Sequence, residues 1–141
     1  MRSRVFVDTN ILLSGIFFEG NESRILDLVE LDLVTSEDIV DELRTVVKKK
    51  LKYLKERTLE IALAETEKAL SDIVIIPRTK YGHKMMEAKT LMAHKKDIPV
   101  LAAVLYSKPE YFLTGDAHFF TDKVKSVVHV FTAKEFLSRI R

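Results

Sequence analysis

Four carboxylates, Asp8, Glu42, Asp97 and Asp116, stand where a folded domain has little reason to put them. Asp8 ends the apolar run RVFV (4–7), the kind of segment that forms a central strand. A carboxylate there is costly to desolvate unless something pairs with its charge. Asp116 repeats the pattern, because the apolar run Tyr111 to Leu113 ends in Thr114, Gly115 and Asp116. Glu42 lies three residues after Ile39 and four before Val46, so it projects with the apolar positions of a helix. Its neighbour Asp41 shares a solvated face with Glu37, Thr45 and Lys48. Asp97 precedes Leu101, Val104 and Leu105 at spacings of four, seven and eight, which puts it on or beside a buried helical face.

Each acid has a purely structural explanation. Asp97 could cap a helix, Asp116 could brace its turn with an Asx bond, and Glu42 could pair with a Lys or Arg at the core edge. Asp8 has the weakest such explanation, since a strand end has no helix N-terminus that must be capped. Taken jointly, the structural explanations need four separate coincidences. Four carboxylates at one place repel one another and raise one another's pKa unless a divalent cation neutralises them. Oxygen-only ligands select a hard ion, Mg²⁺ or Mn²⁺.

The elements that must position them follow from hydrophobic period and caps. The sequence predicts a strand over 4–7, helices over 10–18 and 22–31, a strand over 33–36 whose Ser36 caps the next helix, and that helix through residue 54. A helix over 57–70, a strand over 72–77 stopped by Pro77, a helix from about His83 and a helix over 97–108 come next. The chain closes with a strand over 111–114, a turn around AHFF, a strand over 127–131 and a helix from Thr132. Strands alternating with helices predict an α/β fold of three layers, α/β/α, with a central, mainly parallel sheet of about five strands. In such sheets sites form beyond the carboxyl ends of the strands, where strand order reverses.

VDTN at the start, TSEDIVDEL, KKDIPVLAAVL and YFLTGDAHFF, in that order along essentially the whole chain, resemble the PIN domain, the nuclease fold of many VapC-type toxins. A closing helix with EFL adds to the match. The resemblance implies a single PIN-like domain over 1–141. It also implies an endoribonuclease dependent on Mg²⁺ or Mn²⁺, in which an acidic quartet carried over to Asp8, Glu42, Asp97 and Asp116 holds the ions and a metal-activated water hydrolyses an RNA phosphodiester. Asn10 and Thr114 match supporting polar positions. The resemblance further implies a toxin paired with a small antitoxin protein, and a homodimer built through helices. One departure is that His94, Lys95 and Lys96 stand where many relatives carry further acids, which leaves a second metal position without them.

Other features bound the reading. The chain of 141 residues is 47% hydrophobic and 31% charged and has no cysteine, so it fits one core-forming domain and excludes disulfide and thiolate-zinc frameworks. With no apolar run of membrane-spanning length and a start that passes directly into a core strand, the expectation is a cytoplasmic protein. A net charge of +2 tolerates RNA without demanding it. The basic stretch KKKLKYLKER (48–57) reads as a solvated helix end, whereas Arg24, Lys95 and Lys96 are the candidate RNA contacts. His83, His94, His118 and His129 show no HxxxH or Cys/His spacing, which argues against zinc, though His118 falls close enough to Asp116 to line the site mouth. The pairs Phe17–Phe18 and Phe119–Phe120 read as core or dimer contacts. Two phosphotransfer folds also place an aspartate after a first strand. A haloacid dehalogenase-like phosphatase needs DxD, where this chain has Asn10, and a receiver domain needs an aspartate after the third strand, where it has IVIIPRT. A PIN-like fold that only binds RNA or protein is the remaining alternative.

Overall fold

The computed structural model of the chain describes residues 2–54 and 57–140. Among these, five strands form one sheet: β1 (Ser3–Val7), β2 (Leu31–Ser36), β3 (Val74–Ile76), β4 (Tyr111–Leu113) and β5 (Val130–Phe131). The spatial order is β3-β2-β1-β4-β5 and every pairing is parallel. The helices are α1 (Thr9–Phe17), α2 (Asn21–Leu26), α3 (Glu37–Lys49), α4 (Leu59–Leu70), α5 (Arg78–Tyr81), α6 (Met85–Leu91), α7 (Ile98–Ser107), α8 (Asp122–Lys125) and α9 (Ala133–Arg139). They flank the sheet to make the three-layer α/β/α architecture that the alternation predicts.

The chain runs outward from central β1 to β2 and β3, then crosses back to lay β4 against the other side of β1. Strand order therefore reverses between β1 and β4. Register pairs Val7 with Leu113, so the residues that follow, Asp8 and Thr114, emerge side by side from the same edge. Phe6 and Phe112, both fully buried, meet edge-on at 5.6 Å, and Phe112 meets buried Phe119 at 5.0 Å. These contacts tie the turn after β4 to the sheet.

Helix α7 explains why Asp97 is held so firmly. IPVLAAVLYS is apolar nearly all round, and Ile98, Val100, Leu101, Ala102, Ala103, Val104 and Ser107 are all buried. The helix lies in the core, with α5 and α6 packed on it.

Several boundaries differ from the sequence expectation. The helix expected over 22–31 stops at Leu26, because the Asp27 and Leu28 amides turn back onto carbonyls of α2 and β2 must begin at Leu31 to pair with Ser3. Val29 is then 81% exposed instead of lying on a packed face. The helix after Ser36 ends at Lys49 and gives way to a 3-10 turn over Leu51–Tyr53. The segment around His83 divides into α5, a 3-10 turn over Gly82–Lys84 and α6. The last strand is only Val130–Phe131, since the Val127 and Val128 amides still bond the Val124 carbonyl at the end of α8. Of the basic stretch 48–57, Lys55 and Glu56 lie outside the described residues.

Candidate active site

The frame of the site is a short chain of hydrogen bonds between the ends of β1 and β4. Asp8 is 6% exposed; its Oδ1 accepts the Thr9 amide at 2.8 Å, and its Oδ2 accepts the Thr114 hydroxyl at 2.6 Å. The same Thr114 oxygen accepts the Asp116 amide at 3.0 Å, and Asn10 Oδ1 accepts the Gly115 amide at 2.9 Å. Asp116 Oδ1 in turn accepts the His118 amide at 3.0 Å. Thr114 thus bonds both strand-end acids, and Asn10 holds the Gly115 backbone between them. With Asn10 spent on the Gly115 backbone, it is not a second nucleophilic or acidic position of a DxD motif.

The expectation that Asp8 has no capping role is wrong. The chain passes from β1 into α1 without a loop, which makes Asp8 the N-cap residue of that helix. Asp116 also makes the Asx-type bond that a turn residue would. Asp97, by contrast, sits at the N-cap position of α7 yet makes no side-chain capping bond; its carboxylate accepts the His118 Nδ1 proton at 2.9 Å. Two of the four acids, Asp8 and Asp116, thus make local structural hydrogen bonds.

Asp8, Glu42, Asp97 and Asp116 all line one cavity of about 180 Å³, together with Thr9, Asn10, Leu13, Val46, Val100 and Lys50. Glu42 is not turned inward with Ile39, Leu43 and Val47, which are buried; it is exposed and stands on the cavity rim. A stripe at spacings of four, Glu42 and Val46 on α3 and Lys50 at its C-cap, lines the cavity. Lys50 is therefore the residue that sequence reasoning missed, and extending the Glu42–Val46 spacing by one more step would have found it. It makes no ion pair among the described residues. A larger groove of about 790 Å³, bordered by α2 and α4, contains none of the four acids.

Burial lifts the Asp8 carboxyl to about 6, with Glu42 and Asp116 adding repulsion, against the lowering effect of the Thr114 and Thr9 hydrogen bonds. A group in this position gains most from a cation. The donor set fits a hard divalent ion, since four carboxylates offer oxygens to one water-accessible cavity. Thr9 Oγ1 adds a second sign: it is buried, belongs to a cavity-lining residue, and has no hydrogen-bond partner in the protein.

The remaining predicted residues fall outside this cavity. Arg24 is exposed on α2, and Lys95 and Lys96 are exposed in the 3-10 turn that precedes α7. Two histidines distant in sequence, His94 and His118, stack at 3.4 Å beside Asp97, a pairing that linear spacing cannot reveal. Of the phenylalanine pairs, Phe17 and Phe119 are core residues and Phe18 is 40% exposed.

The profile of the PIN domain family matches residues 6–137, nearly the whole chain. The chain belongs to the PIN domain family. That membership ends the phosphotransfer readings, and PIN domains generally use a divalent metal. Solved structures similar in fold include VapBC2 from Rickettsia felis bound to a DNA fragment from its promoter, 18% identical, with 92% of this chain and 98% of that chain covered and a TM-score of 0.64. A toxin–antitoxin complex from Klebsiella pneumoniae is 19% identical, covers 92% and 97%, and has a TM-score of 0.68. VapBC-1 from nontypeable Haemophilus influenzae is 15% identical, covers 93% and 98%, and has a TM-score of 0.67. No curated protein matches by sequence. Among the described residues of this PIN domain, no helix is long and apolar enough to cross a membrane.

Proposed function

We propose that this PIN domain is a Mg²⁺- or Mn²⁺-dependent endoribonuclease and the toxin of a toxin–antitoxin pair, acting in the cytoplasm as a homodimer. The observation that carries the nuclease reading is the convergence of Asp8, Glu42, Asp97 and Asp116 on one cavity at the carboxyl edge of the sheet. In this reading the four acids are the catalytic and metal-holding residues. When bound, the ion supplies a water of lowered pKa and a counter-charge for the transition-state oxygens of a phosphodiester.

The chain's own residues do the rest. Thr9 and Thr114 fix both oxygens of Asp8, so this carboxylate is preset in one rotamer before any ion arrives. Val46, Val100 and Leu13 give the cavity apolar walls, which strengthen the electrostatics inside it. Lys50, on the rim and unpaired among the described residues, supplies the positive charge that an incoming phosphate needs next to four acids. Arg24, Lys95 and Lys96 are further from this centre and would contact RNA outside it. The toxin role is supported by the fold neighbours, which are toxin–antitoxin complexes.

The test is cleavage of a panel of RNAs, including tRNA and ribosomal RNA, by the purified protein. Cleavage with Mg²⁺ or Mn²⁺ that stops in EDTA is expected. Equal cleavage in EDTA would overturn the metal-dependent reading.

A further inference from the structure

Beside the acidic cavity the fold assembles a second constellation of different chemistry. His118 lies in the 3-10 turn Ala117–Phe119, which the buried Phe119 ring anchors against Phe112. Its Nδ1–H donates to Asp97 Oδ2 at 2.9 Å and lies 3.3 Å from Asp116 Oδ1. His94 comes from the other side, at the head of the 3-10 turn Lys95–Asp97, where its carbonyl accepts the Asp97 amide at 3.0 Å. The two imidazoles stack at 3.4 Å with planes 9° apart. One ligand atom from each of His94, Asp97 and His118 lies within 4.8 Å of the others.

We propose that His94, Asp97 and His118 form a binding site for a borderline divalent metal, Zn²⁺ above all, distinct in donor set from the four-carboxylate cavity and joined to it through Asp97. Two imidazole nitrogens and a carboxylate oxygen are the ligands that Zn²⁺ takes at about 2.0 to 2.2 Å in a tetrahedral site. Such nitrogen donors favour Zn²⁺ over Mg²⁺ and Mn²⁺. The metal takes the place of the proton now held between His118 and Asp97, and that proton leaves to solvent. The rings must turn out of their parallel stack for both nitrogens to point at one ion. Both histidines are exposed, so the rotation meets little packing. Water completes the tetrahedral set as the fourth ligand. Because Asp97 is shared, Zn²⁺ bound here draws a carboxylate away from the acidic cavity and so opposes the hard ion there. The proposal needs only these side chains and stands whether or not the protein cuts RNA.

The experiment is a Zn²⁺ titration of the whole chain, followed by calorimetry and by long-range ¹H–¹⁵N spectra of the histidine rings. Wild type should bind Zn²⁺ with His94 and His118 resonances shifting and His83 and His129 unmoved. His94→Ala and His118→Ala should each weaken binding at least tenfold, whereas Asp8→Asn should keep it. His94→Ala should retain the response of wild type to Mn²⁺. Absence of Zn²⁺ binding would overturn the proposal, as would binding that leaves the His94 and His118 resonances in place. Binding lost in Asp8→Asn but kept in both histidine variants would assign the ion to the carboxylate cavity and overturn it too. The ring spectra are read on wild type, so the result does not depend on a variant folding.

Discussion

Burial lifts the Asp8 carboxyl to about 6, and the consequence can be read in stability before any activity is known. A native-state pKa above the unfolded value of 3.8 means that the native state binds the proton more tightly. The stabilisation from the protonated form is full below about pH 4, falls as pH rises towards 6, and is gone above it. Two units correspond to about 3 kcal/mol, a net figure in which the Thr114 and Thr9 hydrogen bonds already oppose the burial. In EDTA, Asp8→Asn should therefore be at least as stable as wild type at pH 8 and lose that advantage at pH 4, as measured by urea unfolding. A variant equally destabilised at both pH values would mean that burial does not raise the Asp8 carboxyl and that its role is the capping bond alone. Lys50 carries a second prediction at this scale. If its charge receives substrate phosphate, Lys50→Ala should weaken RNA binding by roughly tenfold and reduce its salt dependence by about one phosphate contact, with folding unchanged. An unaltered salt slope in filter-binding assays would return Lys50 to the solvated surface. The sequence disclosed Asp8 and Asp116 by their place at strand ends. It hid the capping role of Asp8, because no loop separates β1 from α1, and it hid Lys50 within a basic run whose other members gave no reason to single it out.

The elements were legible where one rule governed them. Ser36 caps α3 by accepting the Ile39 amide at 3.2 Å, and Thr132 forms a capping box with Glu135, both at positions that the residue types announce. Ser36 is also fully buried between β2 and α3, the helix that presents Glu42 and Lys50. Ser36→Ala should cost about 1 to 2 kcal/mol, near the upper end for a cap, and should disturb the site. Thr132→Ala, at the far end of the chain, should cost about 1 kcal/mol and leave the site alone. Urea unfolding paired with Mn²⁺ binding separates the two, and equal loss of Mn²⁺ binding in both would contradict the positioning role of Ser36. Boundaries failed where tertiary pairing decided the matter. The apolar spacing of Ile25, Leu28 and Val29 continues past the end of α2, but β2 has to start at Leu31 opposite Ser3. Val127 and Val128 have strand propensity, yet their amides are taken by α8. A wide ion-pair fork is likewise invisible to local reading: Arg78 at the start of α5 bonds Glu37, Asp38 and Asp41 of α3, so Asp41 is not an idle surface acid. Tyr81 donates to Asp38 in the same cluster, and burial with that hydrogen bond pushes its hydroxyl up to about 12.

At the scale of the molecule, the reversal of strand order between β1 and β4 is what turns four acids from separate segments into one constellation. Alternating strands and helices were sufficient to predict a parallel sheet, and the rule that sites lie at its switch point pointed to the edge where the four acids line one cavity. The pairing of His94 with His118 was beyond that reach, since it depends on how the turn after β4 meets the entry to α7. The central claim is that Asp8, Glu42, Asp97 and Asp116 share one cation. Thermal unfolding of wild type and of Asp8→Asn, Glu42→Gln, Asp97→Asn and Asp116→Asn, each in EDTA and in millimolar Mn²⁺, tests it most directly. Ligand binding to the native state raises the unfolding temperature by mass action. With a shared cation, Mn²⁺ stabilises wild type, each substitution removes much of that gain, and Asp8→Asn and Asp116→Asn are no less stable than wild type in EDTA. No Mn²⁺ shift in wild type, with most variants destabilised in EDTA, would mean that the four carboxylates are separate structural groups and that the shared site does not exist.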